Sequence, residues 1–169
     1  DSNYKILNND LFAMIIRGQT FNWPGSYMIR SIDWLKANKS RSIFESRNGQ
    51  NMQMLMPATY KHKSGLIYTP VMKYIVHPES LSHFQGPDSY EKKIRASKSY
   101  QEIYLHVCEN ILEEKDKDDV FRIINETFLR SRFNLSLKYN KINDANEYYR
   151  LMKKNHLITL DDKINYYNE

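Results

Sequence analysis

A long helical repeat of apolar residues in the C-terminal half constrains the fold of this chain more than any other feature. Downstream of Pro87, apolar side chains recur every three or four residues, which places them on one face of a helix about 25 residues long. That face would be formed by Tyr90, Ile94, Ser97, Tyr100 or Gln101, Tyr104, Val107 or Cys108, and Ile111.

Three further helices are predicted after this one. The charged stretch Glu113–Asp119 is predicted to be a turn, and a second long helix follows it. Its inward side chains would be Val120, Phe121, Ile124, Phe128 and Leu135. Cap-like pairs open the other two helices, Asp144 with Glu147 and Thr159 with Asp162. Residues 86–169 are therefore predicted to form a helical region.

Residues 1–85 mix short helices with β-prone pieces. Three helices are predicted, one from the N-cap Asn9-Asp10 to Gly18, one over Ile32–Asn38, and one from Gln50 with Met52, Leu55, Met56 and Tyr60 inward. Pro57 predicts a kink or a break in the last of these. The β-prone pieces are Ser26–Ser31 and two pieces on either side of Pro70 within Gly65–His77. The predicted fold class is mainly α with a small β component (α+β), in two parts, 1–85 and 86–169.

Composition excludes several classes of protein. A hydrophobic content of 41% with 13% aromatic residues is enough for a packed core. The longest apolar run, Leu11–Ile16, is far too short to span a bilayer. The single cysteine, Cys108, excludes an internal disulfide and fits a reducing compartment. It falls on the apolar face of the first long helix, so a core thiol is expected.

The positive charge is concentrated in one region. The net charge is +5, and between residues 36 and 63 the only acidic residue is Glu45. The basic residues there are Lys36, Lys39, Arg41, Arg47, Lys61 and Lys63. Such a patch attracts phosphate on nucleic acid, on a nucleotide or on a lipid headgroup, and an ordinary solvated basic face is the alternative. The tyrosines fall at core spacing, so nucleic-acid binding is not expected.

No sequence motif supports an independent hydrolase, kinase or dinucleotide-binding enzyme. The histidines His62, His77 and His83 lack the spacing of a structural zinc site. Asp88 and Glu91 lie three residues apart at a helix start, which is typical of a cap and not of a two-acid nuclease centre. No metal site is therefore assigned within the chain.

The segment SRNGQNMQMLMP, residues 46–57, joins a polar loop to an apolar helix. Gly49 would release the chain, and Gln50 and Asn51 would open the helix. Amides at a helix N-terminus beside Arg41 and Arg47 also suit a sugar hydroxyl or a diphosphate. Local physics leaves the structural and the chemical interpretation open.

Three segments in order resemble the C-terminal half of bacterial family 2 glycosyltransferases, which have the GT-A fold and use nucleotide-sugar donors. These segments are GSYMIRS (25–31), SIFESRNGQNMQMLMP (42–57) and KYIVHPESLSH (73–83). The second is similar to a subgroup segment S-R-x-G-Q-N-W-Q-x-L-L-P, with Met52 in place of Trp. The resemblance covers roughly residues 10–85 and implies the acceptor-side part of a GT-A domain followed by a helical tail.

The resemblance also implies roles for individual residues. Gln50 and Asn51 would orient the acceptor, and His77 would lie near the donor diphosphate and its metal. The remaining substrate-binding residues would be Arg47, Gly49, Gln53, Ser80 and Ser82. Asn51 stands where the wider family has an acidic base, and an amide does not accept a proton at neutral pH. Glu45, on the preceding loop, or an acid elsewhere in the enzyme would then be the base.

The family's nucleotide-binding strands and metal-binding Asp-x-Asp loop have no counterpart here. The match Asp116-Lys117-Asp118 falls between two predicted helices. We therefore expect the C-terminal fragment of a larger enzyme, inactive alone, whose partner is the N-terminal nucleotide-binding half. The complete enzyme would use Mg or Mn, a nucleotide-sugar and a surface polysaccharide or glycolipid acceptor, whereas the fragment would bind no cofactor.

The expected location is the cytoplasm, including the inner face of the membrane. A half-domain would expose an apolar face, and self-association is expected from it. The alternative function is a basic helical module that binds nucleic acid or a protein partner.

Overall fold

Seven helices and one small sheet make up the described part of the chain. The computed structural model describes residues 4–6, 10–20, 26–39, 41, 43–46, 49–67, 69–70, 72–73, 75 and 89–167. The helices are α1 (Leu11–Ile16), α2 (Ser31–Ala37), α3 (Gln50–Thr59), α4 (Ser89–Ile111), α5 (Glu114–Lys138), α6 (Ile142–Lys154) and α7 (Leu160–Tyr167). The strands β1 (Tyr4–Ile6) and β2 (Gly65–Ile67) pair antiparallel, with Tyr4 opposite Ile67. The mainly α class is confirmed.

Two long helices form the framework. Helix α4 packs along α5, and α5 packs along α6, while α1 and α3 lie against the pair α4–α5. The predicted turn at Glu113–Asp119 is wrong, because α5 already begins at Glu114. The acids Glu114 and Asp116 lie in its first turn, where negative charge is favourable beside the positive end of the helix dipole.

The core forms two clusters that meet along α5. The first joins α1, α3, α4 and α5, and Ile103 and Ile124 are completely buried within it. The second joins α5, α6 and α7 around Phe133 and Met152. Side chains from both predicted parts of the chain build the first cluster. The predicted boundary between residues 85 and 86 lies outside the described residues.

Cys108 is fully buried in the first cluster, which confirms the expected core thiol. Burial raises the pKa of its thiol far above the ordinary value, so the thiolate that would be needed for reactivity is disfavoured. None of the helices in the described part of the chain combines the length and apolar character of a membrane span.

Two of the predicted caps are present, whereas the predicted opening pair Asp144 and Glu147 is wrong, because α6 already begins at Ile142 with Lys141 at its N-cap. Asp10 accepts a hydrogen bond from the Ala13 amide at 3.1 Å. Gly18 ends α1 at φ +64°, with amide bonds that form a Schellman motif. At the start of α7, the Thr159 amide donates to the Asp162 carboxylate at 2.8 Å and the Asp162 amide donates to the Thr159 hydroxyl at 3.3 Å. This reciprocal pair is a capping box with Asp in the usual place of Glu.

The β predictions hold only in part. Gly65–Ile67 is a strand, but Ser26–Ser31 is not, because Ser31 begins α2 and no described strand lies beside residues 26–30 to complete a ladder. The piece after Pro70 contains no strand at its described residues 72, 73 and 75. Strand β1 was not predicted.

Helix α3 continues through Pro57 to Thr59, so the predicted kink or break is not a break. Proline has no amide hydrogen, which leaves the carbonyl of Gln53 without its helical donor. The indole N–H of Trp34 donates to that carbonyl at 3.4 Å instead. The side chain of Trp34 thereby replaces the bond that the proline removes and fastens α2 to α3.

Candidate functional site

The structure describes five of the nine predicted site residues. These five are Glu45, Gly49, Gln50, Asn51 and Gln53, and all lie in the loop before α3 or in its first turn. The other four, Arg47, His77, Ser80 and Ser82, lie outside the described residues. The described part of the candidate site therefore consists of residues 43–46 and the start of α3.

Gly49 sets the start of α3 by its backbone conformation and by its position. It is buried at φ +70°, a region that L side chains rarely adopt. A Cβ atom there would lie 2.8 Å from Cδ1 of Tyr100 and 3.0 Å from Cδ1 of Ile103. Its carbonyl accepts the first amide bond of the helix, from Met52 at 2.9 Å. The glycine thus brings the loop backbone directly onto α4.

Gln53 binds the loop to the helix. Its side chain is 5% exposed, and its amide pairs with both backbone groups of Phe44. The Phe44 amide donates to Oε1 at 2.6 Å, and Nε2 donates to the Phe44 carbonyl at 2.7 Å. Nε2 also donates to Oε1 of Gln50 at 3.0 Å. These contacts assign Gln53 a role in positioning the loop, and its substrate contact stays a prediction.

Ser46 fastens the other end of the loop. Its carbonyl accepts a hydrogen bond from Nε2 of Gln50, and its hydroxyl lies 2.9 Å from the Ser99 hydroxyl on α4. Phe44 and Ser46 are therefore both anchored and partly buried, whereas Glu45 between them is exposed. The result is a carboxylate presented to solvent on a loop that is held on both sides.

Asn51 occupies the first turn of α3 and is half-buried. The hydroxyl of Tyr27 donates to its backbone carbonyl at 3.4 Å, and burial raises the pKa of this tyrosine. Tyr27 therefore stays a neutral donor at physiological pH.

Glu45, Gln50 and Asn51 occur within seven consecutive residues, so a carboxylate and two amides are held in one region at a helix N-terminus.

A groove lies next to this region and shares a wall with it. It has a volume of about 600 Å³ and runs between the end of α1 and the helices α4 and α5. Tyr100, which contacts Gly49, also lines the groove, together with Tyr104 and Phe128. The last two rings meet edge to face, with centroids 5.2 Å apart. The polar lining includes Gln19, Thr127, Ser131 and Asn134.

The groove combines aromatic surface with hydroxyl and amide groups, a lining that suits a polar organic ligand with an apolar face. Arg17 adds a cation to the lining, and no described residue forms an ion pair with it. Arg130, also in the lining, is bound to Asp162 and to the Leu157 carbonyl, and so belongs to the contact between α5 and α7.

Ion pairs interrupt the predicted basic patch. Lys61 binds Glu113 and lies 3.4 Å from Asp116, so its positive charge is partly neutralised. The Lys61 and Lys115 ammonium groups together lower the pKa of Glu113 to about 2. Tyr60 adds a hydrogen bond to Asp116 at 2.6 Å. Lys36, Lys39, Arg41 and Lys63 are exposed, and Arg47 lies outside the described residues.

The described residues offer no ligand set for a metal ion. Among them, no group of three or more His, Cys, Asp and Glu side chains converges. His62 is exposed, with Nδ1 2.7 Å from the Tyr60 carbonyl, and His77, His83 and Asp88 lie outside the described residues. The described side chains therefore do not fit a divalent ion.

Three residues of this region were not predicted as part of the site: Tyr27, Phe44 and Ser99. Phe44 acts through its backbone, and the contacts of Tyr27 and Ser99 join residues far apart in the sequence, so no local pattern marks them.

Comparison with protein-family models, with curated proteins and with solved structures finds no match to this chain.

Proposed function

We propose that this chain is the acceptor-side C-terminal portion of a family 2 glycosyltransferase with the GT-A fold. The complete enzyme would act in the cytoplasm and transfer a sugar from a nucleotide-sugar to a glycan or glycolipid acceptor. The order of the three segments that resemble this family supports the proposal. The observation in the structure that supports it best is the exposed Glu45 carboxylate on a loop anchored at Phe44 and Ser46.

The chemistry requires a fixed base beside an acceptor hydroxyl. The acceptor oxygen attacks the anomeric carbon of the donor, the bond from that carbon to the nucleotide diphosphate breaks, and the hydroxyl proton passes to the base. Glu45 is the proposed base, since Asn51 has no basic side chain. One displacement of this kind inverts the anomeric configuration. Rigid anchoring of the loop matters because catalysis depends on the position of the base relative to the hydroxyl.

The groove beside Gly49 is the proposed place for the acceptor. Its aromatic rings can contact the apolar face of a sugar, and its amide and hydroxyl side chains can bond the sugar hydroxyls. Tyr100 links the groove to the start of α3, where Gln50 and Asn51 would orient the reacting sugar. Contacts to substrate are proposed for Arg47, Ser80 and Ser82, and a contact to the donor is proposed for His77.

Glu45→Gln in the complete enzyme tests the proposed base. We expect turnover to fall by about 100-fold or more, which is the usual contribution of a positioned base, with an unchanged melting temperature because the side chain is exposed. Glu147→Gln, at an exposed carboxylate on α6, is the matched control and should leave turnover unchanged. Wild-type turnover in Glu45→Gln would show that Glu45 is not the base.

Two further measurements test the assignment to the family. Asn51→Ala and Gln50→Ala should lower turnover more than they lower stability, and His77→Ala should raise the KM for the donor. The parent gene should encode a β-α-β nucleotide-binding region with an Asp-x-Asp loop ahead of Asp1, and the chain alone should transfer no sugar. A parent gene without that region would refute the proposal.

A further inference from the structure

Helix α2 presents its aliphatic side chains away from the rest of the protein. Ile32 and Leu35 lie three residues apart on one face and are 60% and 40% exposed. Trp34, on the opposite face, is partly buried and donates its indole N–H to Gln53 of α3. None of the residues of α2 is buried. A surface helix normally has the reverse arrangement, with its aliphatic side chains inward.

Two more exposed apolar residues flank the helix. Met28, just before α2, is 91% exposed, and Ile43, on the loop after it, is 55% exposed. The neighbour of Ile43, Phe44, is bonded to Gln53, and Gln53 also accepts the bond from Trp34 of α2, so the same residue anchors both segments. We call this surface the α2 patch, formed by Met28, Ile32, Leu35 and Ile43. Single exposed apolar residues are ordinary, but a concentration of them marks an interaction surface.

Three basic residues lie in the sequence between Leu35 and Ile43 of the α2 patch. Lys36 lies on α2 itself, and Lys39 and Arg41 follow in the turn that leads to Ile43; all three are exposed. In the part of the chain that the structure describes, none of these three cations forms an ion pair. The one acid between residues 28 and 43 is Asp33, which is paired with Arg30 at 2.6 Å. The surface therefore combines exposed aliphatic groups with an uncompensated positive charge.

We propose that the α2 patch docks on the surface of a bilayer that contains anionic phospholipid. Helix α2 would lie in the plane of the headgroups, with Ile32 and Leu35 inserted between the acyl chains and the lysines against lipid phosphate. This is the composition of an interfacial helix, in which apolar insertion and electrostatic attraction act together. The proposal is independent of the glycosyltransferase assignment and would hold if that assignment failed.

Each alternative occupant would complement only one of the two features of this surface, either its cations or its aliphatic side chains. Nucleic acid would use the cations but would leave Ile32 and Leu35 in water. A second copy of the chain would cover the aliphatic side chains, but a two-fold interface centred on the α2 patch would bring Lys36, Lys39 and Arg41 close to their own copies. An anionic bilayer complements both the aliphatic side chains and the cations.

Sedimentation of the chain with vesicles tests the proposal. The vesicles would contain phosphatidylcholine alone or phosphatidylcholine with phosphatidylglycerol in equal parts. We expect binding to the mixed vesicles to be at least about tenfold tighter, because each cation near an anionic surface contributes about fivefold. The double substitution Ile32→Ser and Leu35→Ser should weaken it by about tenfold or more, since it removes two inserted aliphatic side chains.

Helix α7 offers a matched control. Leu160 and Ile164 are 71% and 47% exposed and lie one turn apart, but their neighbour is the acidic Asp161. Leu160→Ser with Ile164→Ser should therefore leave vesicle binding unchanged. Equal losses in the two double variants would overturn the proposal, as would equal binding to both kinds of vesicle.

Three further results would assign the α2 patch to another occupant and overturn the proposal. The first is a dimer in analytical ultracentrifugation that Ile32→Ser with Leu35→Ser converts to a monomer. The second is binding to a short RNA, unchanged in that double variant, without binding to vesicles. The third is vesicle binding by this chain that is absent from the complete parent protein, which would show that another segment covers the surface.

Discussion

Replacing Gly49 with alanine would disturb the join between the loop and α3 in two separable ways. The new Cβ atom would lie 2.8 Å and 2.9 Å from two ring carbons of Tyr100 and 3.0 Å from Ile103. The backbone at φ +70° would also be strained for any L side chain. Gly18 has nearly the same φ, +64°, but its nearest neighbour would be a Thr127 methyl at 3.5 Å, an ordinary contact.

These distances set the expected magnitudes. The left-handed backbone conformation costs an alanine about 1–2 kcal/mol at either position. Overpacking adds about 1–3 kcal/mol at Gly49 alone, because ring carbons on a packed helix cannot move freely. Gly18→Ala should therefore lower the free energy of unfolding by about 1–2 kcal/mol, and Gly49→Ala by about 2–5 kcal/mol. The entropy that alanine removes from the unfolded chain is common to both and cancels in the comparison.

Urea denaturation of both variants measures the difference directly. Repeating Gly49→Ala in a Tyr100→Ala background should bring its cost down towards that of Gly18→Ala, because the two closest atoms are gone. If the two glycine variants were equally destabilised, or if Tyr100→Ala gave no relief, the close approach of the loop to α4 would not be what Gly49 provides.

Two further predictions concern polar contacts in the fold. Trp34→Phe should cost about 1–2 kcal/mol, since it leaves a carbonyl of α3 without a donor, and the cost measured by urea denaturation should shrink in a Pro57→Ala background, which restores the helical amide. A cost that is equal in both backgrounds would contradict the replacement of one donor by the other. Burial alone would raise the pKa of Asp162, but the guanidinium of Arg130 and bonds from Thr159 outweigh it and lower that pKa. The resulting stability is present above the unfolded pKa of about 3.9 and is lost as the pH falls through the folded value, so the melting temperature should fall more steeply in acid for the wild type than for Asp162→Asn.

Local patterns in the sequence were sufficient to predict most of the helices and the starts of α1 and α7. The periodic apolar residues predicted α4 and α5, and the cap residues Asp10 and Thr159 lie where helices begin. Ile103 was missed although it is completely buried. It lies to one side of the predicted apolar face and is covered because Gly49 brings the loop onto that side of α4.

For the candidate site, the sequence located the segment but did not distinguish the roles within it. The described residues Ser46 and Gly49 lie outside helices, and a helix begins at Gln50, as predicted. The substrate contact of Gln53 stays a prediction, and the structure adds that its amide is paired with the backbone of Phe44 nine residues earlier. Such a pairing depends on the path of the loop, which no short pattern encodes. The anchoring of both neighbours of Glu45 likewise depends on residues distant in the sequence, Gln53 and Ser99.

The sequence by itself determined most of the helical segments, the starts of α1 and α7, the burial of Cys108, and the region where the basic residues are concentrated. These properties follow from backbone preferences and from apolar spacing over a few turns. The tertiary structure alone decided how residues distant in the sequence meet, as when Trp34 donates to the carbonyl that Pro57 leaves unpaired and Tyr100 closes against Gly49. It also decided that α2 turns Trp34 inward and Ile32 outward, because that choice depends on the surface against which the helix packs.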